Sequence, residues 1–239
     1  MMEECVLNIE NLLFGHKSPL VSEPVNLTAS AGNLICIVGR NGTGKTTLLN
    51  TLIGIRKVIS GNVIIKGVQV DKMTARERSR FVSFVPSKIE SVMNMRIRDL
   101  IAIGRTPYTN IFDHHSLEDR TIIDDFTNRF GLSQIQDSQV AEVSDGERQK
   151  AMICRALVQQ TPIILLDEPT AFLDYFAKRK LLADLKRIAE EENRCIIFSC
   201  HDLEVAMKYC KHVWLLDDGK MSSQTADDFS KCDYLSKYQ

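Results

Sequence analysis

Eight consecutive residues, Gly39-Arg40-Asn41-Gly42-Thr43-Gly44-Lys45-Thr46, follow the pattern GxxxxGK[ST]. Glycines let such a loop curl until its N–H groups point inward at the β- and γ-phosphates of a nucleotide. Lys45 adds a point charge there, and the Thr46 hydroxyl is placed to bind Mg²⁺, with Thr47 beside it. A second group lies far downstream. Asp167 and Glu168 follow the apolar run Ile163–Leu166. A carboxylate at the carboxyl end of a parallel strand faces the ligand crevice. There Asp167 would hold Mg²⁺, directly or through water, and Glu168 would orient or deprotonate an attacking water.

These residues need elements to hold them. The run Leu34–Val38 ends on Gly39 and suits a strand buried on both faces, while 46–52 has helical composition. The phosphate loop therefore follows a strand and opens a helix. Apolar runs at 163–166, 195–199 and 212–216 read as further strands, as do 6–14 and 81–85. Residues 61–70 alternate between two glycines and read as a hairpin. From about 95 to 160 the character turns helical. Ser116 offers an N-cap, Ile122, Ile123, Phe126 and Phe130 recur at helical spacing, and Gly131 supplies a stop. Ser144 and Glu147 form a capping box ahead of Ala151, Met152 and Ala156. Strands with helices between them imply a mainly parallel sheet. The helical stretch is too long for one crossover and reads as an inserted subdomain.

Composition bounds the rest. A chain of 239 residues with 44% apolar residues can bury a sizeable core. Lys+Arg is 30 and Asp+Glu is 31, so bulk charge does not favour nucleic acid as a partner. Seven cysteines (Cys5, Cys36, Cys154, Cys195, Cys200, Cys210 and Cys232) include no CxxC pair, and several sit in apolar runs. They read as reduced core thiols. No apolar run approaches the ~18 residues of a membrane span, and the first residues lack the basic region of a signal peptide. His114-His115 reads as a solvated loop and Lys178-Arg179-Lys180 as a solvated helix face.

Between the phosphate loop and Asp167 lies Val143-Ser144-Asp145-Gly146-Glu147-Arg148-Gln149. It resembles the Leu-Ser-Gly-Gly-Gln signature of ATP-binding-cassette ATPases, and the rest follows that family's order. Glu168-Pro169-Thr170 comes next, then Asp174 in Ala171-Phe172-Leu173-Asp174 as the D-loop, then His201 as the switch histidine. The resemblance covers nearly the whole chain. It implies a P-loop core (about 1–89 and 161–239) with an N-terminal antiparallel β subdomain and a helical subdomain at about 90–160. It also implies ATP and Mg²⁺ as ligands and a homodimer with two ATP molecules sandwiched head to tail. Ser144, Asp145, Gly146 and Glu147 would then meet the γ-phosphate held by the other copy, where a capped helix N-terminus suits an anion. His201 would contact the γ-phosphate from the same copy, and Asp174 would bridge the copies. The adenine stacks on an aromatic residue ahead of the phosphate loop in this family, and that position falls on His16, with Phe14 as the alternative.

The segment Ile97-Arg98-Asp99-Leu100-Ile101-Ala102-Ile103-Gly104-Arg105-Thr106-Pro107-Tyr108 is similar to one in ATPases of iron-siderophore, haem and cobalamin importers. There it lies in the helical subdomain beside the permease. The implied setting is cytoplasmic and peripheral on the inner face of the membrane, with permease subunits and a periplasmic binding protein as partners. A soluble assembly ATPase, as in iron–sulfur cluster biogenesis, is the alternative. Two positions depart from the family. Asp145 replaces the first glycine of the signature. Ser87 follows Phe84-Val85-Pro86 where members place a glutamine that reaches Mg²⁺ and the water. Serine is shorter by about two bonds, so a bridging water is the expected link.

Overall fold

A computed structural model describes residues 4–88, 94–109 and 115–231. His114 and Cys232 lie outside the described residues, as do the first three. In chain order the elements are β1 (Cys5–Leu13), β2 (Val25–Ser30), β3 (Leu34–Val38), α1 (Lys45–Leu52), β4 (Ser60–Ile65), β5 (Val68–Gln69), α2 (Ala75–Phe81) and β6 (Val82–Val85). There follow α3 (Ile97–Ala102), α4 (Leu117–Arg129), α5 (Asp145–Val158), β7 (Ile163–Leu166), α6 (Tyr175–Glu191) and β8 (Cys195–Ser199). The last are α7 (Leu203–Ala206), β9 (His212–Asp217), β10 (Lys220–Thr225) and α8 (Ala226–Ser230).

The strands form two sheets. One is antiparallel, in the order β2-β1-β4-β5. The other runs β10-β9-β3-β8-β7-β6, parallel throughout except for the edge strand β10. The expected α/β class, with its parallel core and antiparallel partner sheet, is the one that forms. Its central strands read as unbroken apolar runs because both faces are covered. Leu34, Cys36 and Val38 of β3 pack with Ile164 and Leu166 of β7 and Ile196 and Phe198 of β8 into one core layer. The intervening Ile35, Ile37, Ile163, Leu165, Cys195 and Ile197 pack into a second layer with β1, β2, β4 and α1. The five cysteines of the two layers and their neighbours, Cys36, Cys154, Cys195, Cys200 and Cys210, are buried and free, while Cys5 is exposed.

One boundary differs from the sequence reading. Phe81 closes α2 and the strand begins at Val82. Thr74 and Glu77 form a full capping box, which starts a helix that runs on until the Val82 N–H bonds to the Arg78 carbonyl. The strands β2 and β10 had no separate sequence signal. β2 alternates buried apolar with exposed polar residues, and β10, reading Lys-Met-Ser-Ser-Gln-Thr, has no buried residue.

Between β6 and β7 the described residues are helical, with α3, α4 and α5 joined by single 3₁₀ segments at Ile103–Tyr108 and Ser133–Ile135. Ser116 caps α4 with a reciprocal bond from Asp119, and α4 ends before Gly131 at φ 68°. Arg105 ties this unit together. Its Nε donates to Asp119 Oδ1 at 2.6 Å and its Nη1 donates to the Val158 carbonyl at 2.9 Å and Gln160 Oε1 at 3.0 Å. The guanidinium also lies 4.3 Å from the Tyr108 ring centroid. Gly104 lets the segment lie directly on α5, because a Cβ there would collide with the Arg155 carbonyl.

Both charges of the Arg105–Asp119 pair are buried, each residue 6% exposed. Burial alone would push the Asp119 pKa up. The backbone and hydroxyl bonds from Ser116 and the Arg105 guanidinium outweigh it and hold that pKa below its ordinary 3.8. A depressed carboxylate stabilises the fold above its ordinary value, and that contribution fades as the pH falls through the folded one. Arg105→Leu should strand Asp119 as a buried unpaired charge, at about 3–5 kcal/mol and on the order of 10 °C in melting temperature at pH 7. Melts taken from pH 7 down to pH 3 should show the gap to wild type narrowing at the acid end. A gap that is constant or wider in acid would contradict the assignment.

Candidate functional site

The loop between β3 and α1 is shaped by its glycines at two places. A Cβ at Gly39 would collide with the Leu216 carbonyl of β9. Gly44 sits at φ +112°, and a Cβ there would come within 2.7 Å of Leu20. Thr43 Oγ1 donates to the Arg40 carbonyl at 2.9 Å, which braces the turn. Lys45 Nζ lies inside it, donating to the carbonyls of Gly39 at 2.7 Å and Arg40 at 3.0 Å. Burial lowers its pKa from the ordinary 10.5, opposed by the Glu168 and Asp167 carboxylates.

The carboxylates arrive from β7. Asp167 is 1% exposed, and its N–H donates to the Val85 carbonyl of β6 at 2.9 Å. Its Oδ2 accepts from Thr46 Oγ1 at 2.7 Å, so two hard oxygens from opposite ends of the sequence converge at the floor of the loop. That donor pair fits Mg²⁺, which takes oxygen ligands and retains waters. Glu168 follows at φ +52°, the left-handed region that costs a side-chain-bearing residue roughly 1–2 kcal/mol. This turn points its carboxylate back at β8, where Oε1 lies 2.8 Å from His201 Nε2.

Sequence reasoning missed Ser199. Its Oγ donates to Asp167 Oδ1 at 2.7 Å and accepts the Glu168 N–H at 2.8 Å, and the residue is fully buried. The signal was a hydroxyl in an otherwise apolar buried strand, a place where a polar group needs a partner. Lys178 also differs from its expected role. Arg179 and Lys180 are exposed, but Lys178 is half-buried and donates to Asp202 Oδ2 at 3.1 Å. That contact tethers α6 to the residue after His201.

Two adjoining cavities share Asn41. One, of about 310 Å³, is lined by His16, Leu20, Asn41, Gly42, Gly44, Lys45, Thr46, Thr47 and Glu168. The other, of about 260 Å³, is lined by Val38, Gly39, Arg40, Asn41, Cys200, His201 and Leu203. His16 is exposed at the rim of the first, while Phe14 is fully buried in the core. Ser87 stands two residues past Val85, which pairs with Leu166 at the end of β7. Among the described residues no hydrogen bond joins Ser87 to Thr46 or Asp167.

Ser144 caps α5, its Oγ accepting the Glu147 N–H at 3.3 Å and donating to Glu147 Oε2 at 2.6 Å. The Asp145 carboxylate accepts from Arg148 Nη1 at 2.8 Å. Arg148 reaches back to the carbonyls of Val140 and Val143, which fixes the preceding loop. A Cβ at Gly146 would press on Leu173 and the Phe172 carbonyl at 3.3 Å, so the helix start abuts residues 171–174. Asp174 caps α6 through the Ala177 N–H at 2.8 Å. None of Ser144, Asp145, Gly146 and Glu147 lines the two cavities of its own chain. Among the described residues no group of three or more His, Cys, Asp and Glu could hold a metal, His115 included.

Comparison with known proteins shows the family and the fold. The family model described as ABC transporter matches residues 22–171. An uncharacterised ABC transporter ATP-binding protein of Methanocaldococcus jannaschii is 35% identical over 216 residues, which is 90% of this chain and 74% of that one. The iron(3+)-hydroxamate import ATP-binding protein FhuC of Bacillus subtilis is 30% identical over 213 residues, 89% of this chain and 79% of its own. In fold, the chain resembles a dimeric ATP-binding cassette solved in a post-hydrolysis state with ADP and Pi. The TM-score is 0.81 at 23% identity, over 92% of this chain and 98% of that one. The chain therefore belongs to the ABC transporter family, as an ATP-binding ATPase.

Proposed function

We propose that this ATPase drives a bacterial importer of iron chelates, haem or cobalamin, working as a homodimer beneath permease subunits fed by a periplasmic binding protein. One observation carries the dimer. The phosphate loop, Asp167, Glu168 and His201 gather around the two adjoining cavities, while the capped N-terminus of α5 lines neither of them. A 14-residue helix with free N–H groups and a positive dipole end suits an anion supplied by a second copy. The importer reading is supported by the hydroxamate-import relative and by the segment at 97–108. Gly104 and Arg105 have packing roles, while Ile103, 43% exposed, and Tyr108, 39% exposed, are the large apolar side chains of that segment open to a partner. Among the described residues no helix is long and apolar enough to cross a membrane, so on this reading the chain meets the membrane's inner face through the permease.

The residues divide the work as follows. His16 lies against the adenine, and the N–H groups of residues 40–44 surround the phosphates. Lys45 exchanges its two carbonyl partners for phosphate oxygens, a stronger charge-assisted bond. Thr46 and Asp167 would hold Mg²⁺, which would neutralise phosphate charge, with Ser87 linked to it through a water. Glu168 takes the proton of the attacking water, while His201 Nε2 orients that carboxylate and meets the γ-phosphate. Ser144, Gly146 and Glu147 of one copy approach the nucleotide of the other. Asp145 is kept back by Arg148, and Asp174 stands at the junction between the copies. Closing on ATP and reopening after hydrolysis converts a difference in ATP affinity between two conformations into movement of the helical subdomain.

Lys45→Ala should abolish tight ATP binding in a direct binding titration, and an affinity near that of wild type would remove Lys45 from the site. Glu168→Gln should bind ATP, hydrolyse it very slowly and accumulate as an ATP-bound dimer. Light scattering with ATP and Mg²⁺ that shows only monomer would refute the sandwich, and undiminished turnover would refute Glu168 as the base. Detergent purification should bring down a polytopic membrane protein, whereas a wholly soluble complex would favour an assembly ATPase.

Asp145→Gly removes a pair between an exposed carboxylate and a half-buried guanidinium, worth about 1 kcal/mol, and relieves charge near the docking phosphate. Its ATPase rate should equal or exceed that of wild type. A loss beyond roughly tenfold, about 1.4 kcal/mol of barrier, would mean that Asp145 contributes directly.

A further inference from the structure

We propose that Ser199 is a positioning residue that locks the Mg²⁺-holding carboxylate and the general base into one unit, an inference that rests on the roles given to Asp167 and Glu168. Its hydroxyl donates to one of them and accepts from the other. The O–H goes to Asp167 Oδ1 at 2.7 Å, and the lone pair takes the Glu168 N–H at 2.8 Å. The first bond fixes which oxygen of Asp167 remains for the metal, since Oδ2 is the one that faces Thr46. The second satisfies a backbone donor at the residue with φ +52°. Without that acceptor the N–H would be orphaned, and the left-handed turn would lose the contact that favours it. The carboxylate of Glu168 takes its direction from this turn, so relaxation of the backbone would swing it away from His201.

The same strand end adds two further contacts. Cys200 Sγ lies 3.6 Å from Thr170 Oγ1, and His201 reaches Glu168. Residues 199–201 thus grip residues 167–170 at three successive positions. Movement of His201 is thereby coupled to the backbone that carries the base and to the metal carboxylate, with Ser199 as the buried link between them.

The test uses the whole chain, as wild type, Ser199→Ala, Ser199→Thr, Glu168→Gln, and Ser199→Ala combined with Glu168→Gln. Steady-state and single-turnover ATPase rates, Mg²⁺-dependent binding of a fluorescent ATP analogue and thermal melting are measured for each. Ser199→Ala should lower kcat by roughly tenfold or more, with KM for ATP changed less than about threefold. It should also raise several-fold the Mg²⁺ concentration for half-maximal analogue binding. Ser199→Thr, which keeps the hydroxyl, should restore both. In the Glu168→Gln background, Ser199→Ala should cost less than about twofold more in rate, because its effect on chemistry runs through Glu168. It should still shift the Mg²⁺ dependence there. A Ser199→Ala protein within about twofold of wild type in kcat with an unchanged Mg²⁺ dependence overturns the proposal. So does a loss that threonine does not restore, or a full additive loss on top of Glu168→Gln. If Glu168→Gln alone turns over like wild type, the base assignment fails, and the single variant shows this independently. Should Ser199→Ala not fold, Ser199→Cys, similar in volume but weak in hydrogen bonding, gives the same readouts.

Discussion

The crevice depends on the parallel pairing of β7 with β8. Their last paired residues are Leu166 and Phe198, and the next residue on each strand is Asp167 and Ser199. The two ladders leave the sheet side by side, so a carboxylate and a hydroxyl meet in a place that both core layers keep dry. β3, on the other side of β8, ends at Val38 and releases the phosphate loop at the same level. A slip of one residue between β7 and β8 would turn Asp167 to the opposite face and part it from both Thr46 and Ser199. The unbroken apolar runs that seem to serve only the core therefore also set the geometry of the polar groups at their ends.

Much of this was legible in the residues. The loop at 39–46, the carboxylates after 163–166 and the capping box at Ser144 each rest on local chemistry, and local chemistry survives tertiary packing. The strands Leu34–Val38 and Ile163–Leu166 were readable to the residue because full burial on both faces excludes polar side chains. Three features were not legible. β2 and β10 carry alternating or polar sequences that resemble loops until a neighbouring strand pairs with them. Phe81 is apolar in either helix or strand, and only the cap at Thr74 decides between them. Ser199 and Lys178 have partners 32 and 24 residues away in the sequence, and no spacing rule reports such a contact.

The helical part follows a different logic. The helices α3, α4 and α5 pack through buried apolar residues and are also tied by Arg105, which bonds α4, the end of α5 and Gln160 from one guanidinium. α2 of the core adds Arg80, which donates to the Pro107 carbonyl at 3.1 Å and lies over Tyr108. Arg155 of α5 donates to the Phe84 carbonyl of β6 at 2.9 Å. These guanidinium-to-carbonyl contacts add to the apolar core that the helices share with the parallel sheet, where Ile97, Leu100, Ile153 and Leu157 pack in one cluster with Val85, Ile164 and Leu166.

Lys45 gives the phosphate loop an internal cation. Donating to Gly39 and Arg40, the ammonium occupies the loop's interior and holds the surrounding carbonyls together. A loop with this many glycines would otherwise sample many shapes, and a nucleotide would have to select among them. With the ammonium acting as a template, the cost of ordering falls on folding and not on binding. Nucleotide capture then becomes an exchange of partners around a cation already in place.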